Sequence, residues 1–211
     1  MSDAPVVCFD LGDVLVRLRF ERCALQLDRL AHGEAAEPRR SGLTPAQLFT
    51  GRRGMAYARG EIEPAIFFDE VCQELGLPAA SLPEVVGAWC AIFEPWPAMQ
   101  DLATRVVASG APVWLLSNTD PVHMAHLRPQ LPFLERFQGL WLSYQTGTAK
   151  PDPAYFTGFA KQTGYAPEQC LFIDDRPDNV AQAQALGWRA VLHRGDVAEV
   201  EAFLRHHGIA I

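Results

Sequence analysis

A chain of 211 residues that is 49% hydrophobic and 10% aromatic can hold one good-sized core and a smaller appended unit without disulfide staples. Its formal net charge of -7 argues against non-specific binding to nucleic acid. The opening apolar run has no basic flank and is broken by Asp10 and Asp13, so neither a signal peptide nor a membrane span is expected.

That opening run, Pro5, Val6, Val7, Cys8 and Phe9, stops at Asp10 and is followed by Gly12, the pattern of a buried strand that delivers a carboxylate to the end of a sheet. A helix is expected over 20–32, with Cys23, Leu27 and Leu30 on one face and Gly33 at its end. Residues 34–41 read as a loop. Thr44-Pro45 reads as an N-cap with proline at the first helical position of a short helix reaching about Thr50. Further helices start at Glu63-Pro64, stopping at Gly76, and at Ser81-Leu82-Pro83, running through Phe93. Residues 17–94 are therefore expected to form an all-helical cap, and 1–16 with 95–211 the core.

From Ala98 helices and strands alternate, which predicts a doubly wound, Rossmann-like parallel sheet with helices on both faces: an α/β fold. Strands are expected over 112–116, 140–144, 170–173 and 189–192. Helices are expected from 98 to Ser109, from 153 to 163, from 177 to 186, and from the Asp196 cap onward.

Three of the strands end in chemistry-bearing groups: Asp10, Ser117-Asn118 and Asp174-Asp175, with Lys150 ahead of the third. Strand C-termini share one edge of such a sheet, so these groups can converge on one crevice. With a phosphate monoester as ligand each has a task. Asp10 attacks phosphorus. Asp10 and Asp175, with Asp174 behind or beside them, hold Mg²⁺, because unscreened carboxylates would repel phosphate. Ser117, the Asn118 backbone N–H and Lys150 bind its oxygens. Alone, Asp10 could equally cap a turn.

Phe9-Asp10-Leu11-Gly12-Asp13-Val14, Leu115-Leu116-Ser117-Asn118-Thr119, Ala149-Lys150-Pro151-Asp152-Pro153 and Phe172-Ile173-Asp174-Asp175-Arg176-Pro177-Asp178-Asn179 resemble the four ordered motifs of the haloacid dehalogenase-like (HAD) hydrolase superfamily. The opening and second motifs resemble its alpha-D-glucose-1-phosphate phosphatase branch. The resemblance implies an Mg²⁺-dependent phosphomonoesterase acting through an aspartyl-phosphate on Asp10. Ser117 and Lys150 would lie on phosphate, Asp10, Asp175 and the Gly12 carbonyl on the metal, and Asn179 would fix the metal-site loop. The implied sheet order is 3-2-1-4-5. The chain departs from the superfamily pattern at Gly12, where an Asp usually protonates the leaving alcohol; such assistance is worth about 10²–10⁴-fold. Three accounts follow: a substrate that needs little protonation, such as an anomeric sugar phosphate; rescue by Asp13; or lost turnover, leaving a phosphate- or sugar-binding pseudo-phosphatase. A hydrolytic haloacid dehalogenase is the other enzyme reading, disfavoured because the acidic pair makes sense around a cation.

Arg39, Arg40, Arg52, Arg53 and Arg59 form an acid-free basic stretch that either steers an anion or faces solvent. Met55, Tyr57 and Trp89 line the pocket or fill a core. His123 and His126 lack partners for a zinc site, and Arg176 reaches either substrate or a helix end. The cysteines, Cys8, Cys23, Cys72, Cys90 and Cys170, have no Cys-x-x-Cys spacing and read as reduced core residues of a cytoplasmic protein. The expected ligand is a small phosphorylated metabolite, with no membrane or nucleic-acid partner; no feature assigns an oligomeric state.

Overall fold

Val6–Phe9, whose four residues have no exposed surface, form β1 at the centre of the sheet in a computed structural model that describes residues 4–33 and 46–211. A turn with Asp13 at φ 48° leads into β2 (Val16–Leu18) and then α1 (Phe20–His32). After the undescribed stretch, one wide helical turn at Ala46–Thr50 precedes α2 (Arg52–Ala58), α3 (Pro64–Glu74) and α4 (Leu82–Cys90). Proline opens α3 and lies in the first turn of α4, where a missing N–H breaks no helical bond. β3 (Phe93–Pro95) then runs antiparallel to β2, with Arg17 opposite Glu94.

The remainder alternates: α5 (Pro97–Ala108), β4 (Val113–Ser117), α6 (Pro121–Leu127), β5 (Gly139–Leu142), α7 (Ser143–Thr146), α8 (Pro153–Thr163), β6 (Cys170–Asp174), α9 (Pro177–Ala185), β7 (Arg189–Leu192) and α10 (Val197–His206). The five-stranded sheet is parallel throughout, in the order β5-β4-β1-β6-β7, which is the expected 3-2-1-4-5 of the core strands.

Alternation along the strands sends side chains to two separate cores. Val7, Phe9, Leu115 and Ile173 pack with Met99 and Leu102 of α5 and Leu204 of α10. Cys8, Leu116 and Phe172 face Tyr155, Phe156 and Phe159 of α8 on the other side. A third cluster belongs to the cap, where Cys23, Leu27, Phe67, Phe68, Val71 and Trp89 bury the inner faces of α1, α3 and α4. All five cysteines are free and buried.

The structure shifts the expected element bounds in three places. The helix expected to run to Phe93 stops at Cys90, because Phe93–Pro95 pairs with Val16–Leu18 and the Arg19 N–H bonds to the Ile92 carbonyl at 2.7 Å. The insert is thus not all helical: it is joined to the sheet through a two-stranded ribbon, and the expected boundaries at 16/17 and 94/95 fall inside that ribbon. Glu94 also bridges Arg19 (3.2 Å) and Arg22 (2.5 Å), tying the ribbon to the start of α1. The strand expected over 140–144 ends at Leu142, with Ser143 opening a helical turn. The expected N-cap at Thr44-Pro45 lies outside the described residues, as do Arg39 and Arg40.

Gly54 is a close-approach position. A Cβ there would sit 2.2 Å from the Leu48 carbonyl oxygen and 2.9 Å from the Phe49 carbonyl carbon, so glycine lets α2 lie against the turn that carries Phe49. Gly54→Ala is expected to lower stability by about 1–3 kcal/mol in urea denaturation. Gly87→Ala, where a Cβ meets nothing within 4 Å, serves as the comparison and should not destabilise.

Candidate active site

The parallel ladder places the acids. Phe9 is in register with Ile173, and the Asp10 N–H donates to the Ile173 carbonyl at 2.9 Å, so Asp10 and Asp174 emerge side by side at the C-terminal edge. Ser117 ends the neighbouring β4 and lines the same cavity. Lys150 arrives from the loop before α8 and is 3% exposed. Its ammonium donates to Asp10 Oδ1 and Asp174 Oδ2, both at 2.7 Å, and to the Leu116 carbonyl at 2.8 Å, which engages all three of its protons.

The loop that carries Lys150 is held by Asn118. Its Nδ2 donates to the Lys150 carbonyl (2.7 Å) and its Oδ1 accepts from the Lys150 N–H (2.8 Å). The Asn118 side chain is therefore a clamp on the lysine, and only its backbone N–H is left to meet a ligand. Asp174 is committed as well, since Oδ1 accepts from the Arg176 N–H and from Asn179 Nδ2, both at 2.9 Å. Asn179 thus fixes the acidic loop, as expected. Arg176 turns outward to a two-point pair with Asp178. Asp13 answers the turn reading, its Oδ1 accepting from the Leu18 N–H at 3.0 Å.

One carboxylate oxygen each from Asp10, Asp174 and Asp175 lies within 4.8 Å of the others. Burial first, then the Asp174 and Asp175 charges, push the Asp10 carboxyl up to about 7 against the opposing pull of Lys150. Burial, Asp174 and Asp13 push Asp175 up to about 6. Burial disfavours the Lys150 charge, but the Asp10 and Asp174 carboxylates outweigh it and hold its pKa above the usual lysine range. The site has an excess of negative charge that one lysine does not balance.

Gly12 sits at the mouth of this cluster. A Cβ there would lie 2.6 Å from Leu18 Cδ1, so the space an acid would need is held by a leucine of the ribbon. Beyond it opens a cavity of about 320 Å³ that runs from Asp10, Lys150 and Asp175 to Phe20, Phe49, Met55 and Trp89 of the cap. Met55, Tyr57 and Trp89 do line it, and Tyr57 and Trp89 belong to the cap core at the same time.

Sequence reasoning missed a buried polar cluster at the cap-facing end. Asp120 caps α6, Oδ1 accepting from the Val122 and His123 N–H groups at 2.9 Å, while Oδ2 takes Trp89 Nε1 (3.1 Å) and His123 Nδ1 (2.8 Å). His123 Nε2 meets the Trp89 carbonyl at 3.1 Å. Burial would raise the Asp120 carboxyl, but its His123 and Trp89 partners outweigh that and hold it below the usual range. Asp120-Pro121 was the available signal, an N-cap residue followed by proline.

An aspartate at the end of the first strand, a buried lysine and an acid pair on the neighbouring strand thus meet at one edge of a 3-2-1-4-5 sheet, the fold and site of one class of hydrolase. Residues 4–187 match the model of the haloacid dehalogenase-like hydrolases, and the chain belongs to that family. Within it the chain stands with phosphatases. It is 26% identical over 131 residues to a sesquiterpene phosphatase of Aspergillus oryzae, covering 62% of this chain and 67% of the relative. It is 35% identical over 82 residues to a D-ribitol-5-phosphate phosphatase of Bacteroides thetaiotaomicron, covering 36% and 40%. Among solved structures, a HAD family enzyme of B. thetaiotaomicron, bt-2542, superposes with a TM-score of 0.82 at 25% identity over 94% of this chain and 98% of that one. Its wild-type complex with magnesium and inorganic phosphate matches with a TM-score of 0.79 at 26% identity, covering 93% and 98%. No helix among the described residues is long and apolar enough to cross a membrane.

Lys150→Met would leave Asp10 and Asp174 facing each other without a cation. The metal-free variant should lose about 3–5 kcal/mol at pH 8 in chemical denaturation, and less at pH 5, where the raised carboxyl of Asp10 takes up a proton and removes the repulsion.

Proposed function

We propose that the protein is a Mg²⁺-dependent phosphomonoesterase that cleaves a small phosphorylated metabolite through an aspartyl-phosphate on Asp10. The observation that carries this reading is the set of Asp10, Asp174 and Asp175 oxygens within 4.8 Å of one another, short of positive charge, with Asp10 and Asp175 lining the cavity. Hard oxygen donors in that arrangement fit Mg²⁺, which takes few carboxylates and shares a substrate phosphate. Asp10, Asp175 and the Gly12 carbonyl would hold it, with Asp174 behind them, since its oxygens already accept from Lys150, Arg176 and Asn179. Bound there, the ion would screen the carboxylates from the incoming phosphate and polarise a phosphoryl oxygen. The bt-2542 complex with magnesium and phosphate supports the pairing.

Lys150 restrains Asp10 Oδ1 and leaves Oδ2 to attack. The Asp10 oxygen bonds to phosphorus, the ester P–O bond breaks, and its electron pair leaves with the alcohol oxygen. Ser117 and the Asn118 N–H would bind the phosphoryl oxygens as they move. Water then bonds to phosphorus, the acyl-phosphate P–O bond breaks, and Asp10 and inorganic phosphate are released, with one proton passing to solvent. Closure of the cap, 17–94, on the core, 1–16 and 95–211, would exclude bulk water in the first step. Five buried free thiols suit a reducing compartment such as the cytoplasm.

Gly12 supplies no proton to the leaving oxygen. An anomeric sugar phosphate meets that condition through its leaving group, and the names of the two curated relatives span alcohols from hydrocarbon to polyol. Gly12 also favours a second reading, a phosphate-binding protein without turnover.

Phosphate release from a panel of esters with Mg²⁺ should be abolished by EDTA and fall more than about 10³-fold in Asp10→Asn. Vanadate binding with no hydrolysis of any ester would replace the enzyme by the binding protein. Between pH 4 and 7 the raised carboxyls of Asp10 and Asp175 bind protons in the folded state that the unfolded chain has already lost. Stability from these groups is fully present below the ordinary carboxylate range and is lost as pH rises through 7. Mg²⁺ should therefore raise the melting temperature more at pH 8 than at pH 5. Gly12→Asp paired with Leu18→Ala, which clears the space for the acid, should raise turnover of primary alkyl phosphates by about 10-fold or more, read as kcat.

A further inference from the structure

We infer that the alcohol carried by the phosphate is apolar, so that the substrate is the monophosphate of a hydrocarbon-like alcohol rather than of a sugar or polyol. This rests on the phosphomonoesterase reading and names its substrate class. The cavity has two chemically distinct ends. At the sheet edge stand Asp10, Lys150 and Asp175; past Gly12 the walls become Leu18, Phe20, Phe49, Met55, Trp89 and Phe93.

The aromatic walls are stacked. Phe20 lies 4.7 Å from Phe49, Phe49 lies 4.1 Å from Trp89 with 15° between the planes, and Trp89 lies 5.1 Å from His123 with 10° between them. Phe49, Trp89 and His123 thus pack face on face with Phe20 tilted against them by 53°, one aromatic block in the wall of the cavity. A sugar in that space needs hydrogen-bond partners for each hydroxyl it strips of water.

The charged groups at that end have their hydrogen bonds filled from within the protein, and the polar atom left without a partner among the described residues lining that end is the buried Tyr57 hydroxyl. Asp120 accepts four, from two backbone N–H groups, Trp89 Nε1 and His123 Nδ1, which fills its lone-pair sites. His123 Nε2 is taken by the Trp89 carbonyl. Arg53, from the basic stretch of the cap, pairs with Glu74 and lies over the Phe67 ring. Among the described residues that line the cavity, Arg176 is the one arginine, and it holds Asp178 at the acidic end.

Leu18 connects this lining to the reaction. It is part of the apolar wall and also covers the position where an acid at residue 12 would stand, so the hydrocarbon surface reaches the leaving oxygen itself. About 320 Å³ stands at the lower end of the roughly 300–1,000 Å³ range of small-molecule pockets. That is room for a phosphoryl group and a carbon skeleton of one or two rings, or a short isoprenoid.

The test measures binding and turnover separately. Asp10→Asn protein with Mg²⁺ is titrated with 1-naphthyl phosphate, geranyl phosphate and glucose 1-phosphate, and the unmodified protein is assayed on the same three and on acetyl phosphate. Acetyl phosphate carries neither sugar nor hydrocarbon and has a leaving group that needs no proton. The two apolar esters are expected to bind at least about tenfold more tightly than glucose 1-phosphate, and Phe49→Ser should reduce that ratio about tenfold. Faster turnover of the naphthyl ester assigns an aryl alcohol and faster turnover of the geranyl ester an isoprenoid; both support the class. Glucose 1-phosphate binding as well as or better than the apolar esters overturns it. Absence of hydrolysis of all four compounds overturns the phosphatase reading instead, and the binding ratio still decides the apolar one.

Discussion

The site depends on one ammonium group. Lys150 Nζ joins the ends of three adjacent strands, through Asp10 after β1, Asp174 of β6 and the Leu116 carbonyl of β4. Removing water from one lysine and two carboxylates is costly, and the cost is offset only because each proton of the lysine meets an oxygen at 2.7–2.8 Å. The lysine itself is anchored through its own peptide group by Asn118, which lies on the segment that follows β4. Sheet register and loop anchoring therefore specify the same point in space. The local charge nevertheless stays negative, which keeps Asp10 and Asp175 reluctant to ionise and leaves a cation as the natural completion.

The β2–β3 ribbon is the second constraint, because it sets where the cap meets that point. It starts three residues after Asp13, whose carboxylate holds the Leu18 N–H, so the turn after Asp10 and the first cap wall form one rigid piece. At the other attachment, Trp89 of α4 is bonded through both its indole and its carbonyl to Asp120 and His123 of the core. Cap and core thus touch through a ribbon on one side and a buried polar cluster on the other, with the cavity between them. Movement of the cap changes the contacts of Trp89, which ties substrate enclosure to the same side chain that forms the aromatic wall.

Much of this was legible in the sequence because parallel strands announce themselves. Val6–Phe9, Val113–Ser117 and Cys170–Asp174 are nearly continuous apolar runs that end at polar residues, and a strand that ends at the sheet edge can only deliver its last residue there. That logic puts Asp10, Ser117, Asp174 and Asp175 at one edge, where the structure has them, whereas Lys150 reaches it from the loop before α8 and not from the end of a strand. The ribbon was not, since three residues on each side, one of them proline, carry too little pattern to outweigh the helical run before them. The direction of the Asn118 side chain depends on a partner 32 residues away, and the Asp120–Trp89 bond spans 31 residues. Pairings at that distance leave no local periodicity.

The glycine at position 12 and the leucine at 18 are two sides of one design. A carboxylic acid placed against the Leu18 methyls would be desolvated, raising its pKa as burial raises that of Asp10 nearby, and it would put a polar group in the mouth of an apolar cavity. With glycine there, Leu18 carries the apolar wall up to the acidic end of the cavity. On the proposed reading the consequence would fall on the leaving oxygen, which would depart without a protein donor at that position and draw its proton from water. A site working this way would give up general acid assistance and gain contact area with the non-reacting part of its ligand, so that discrimination would rest on the fit of carbon skeletons to Phe20, Phe49 and Trp89. On the proposed reading the cap would decide which ester is held, and the Asp10–Lys150 pair would decide only that it is an ester of phosphate.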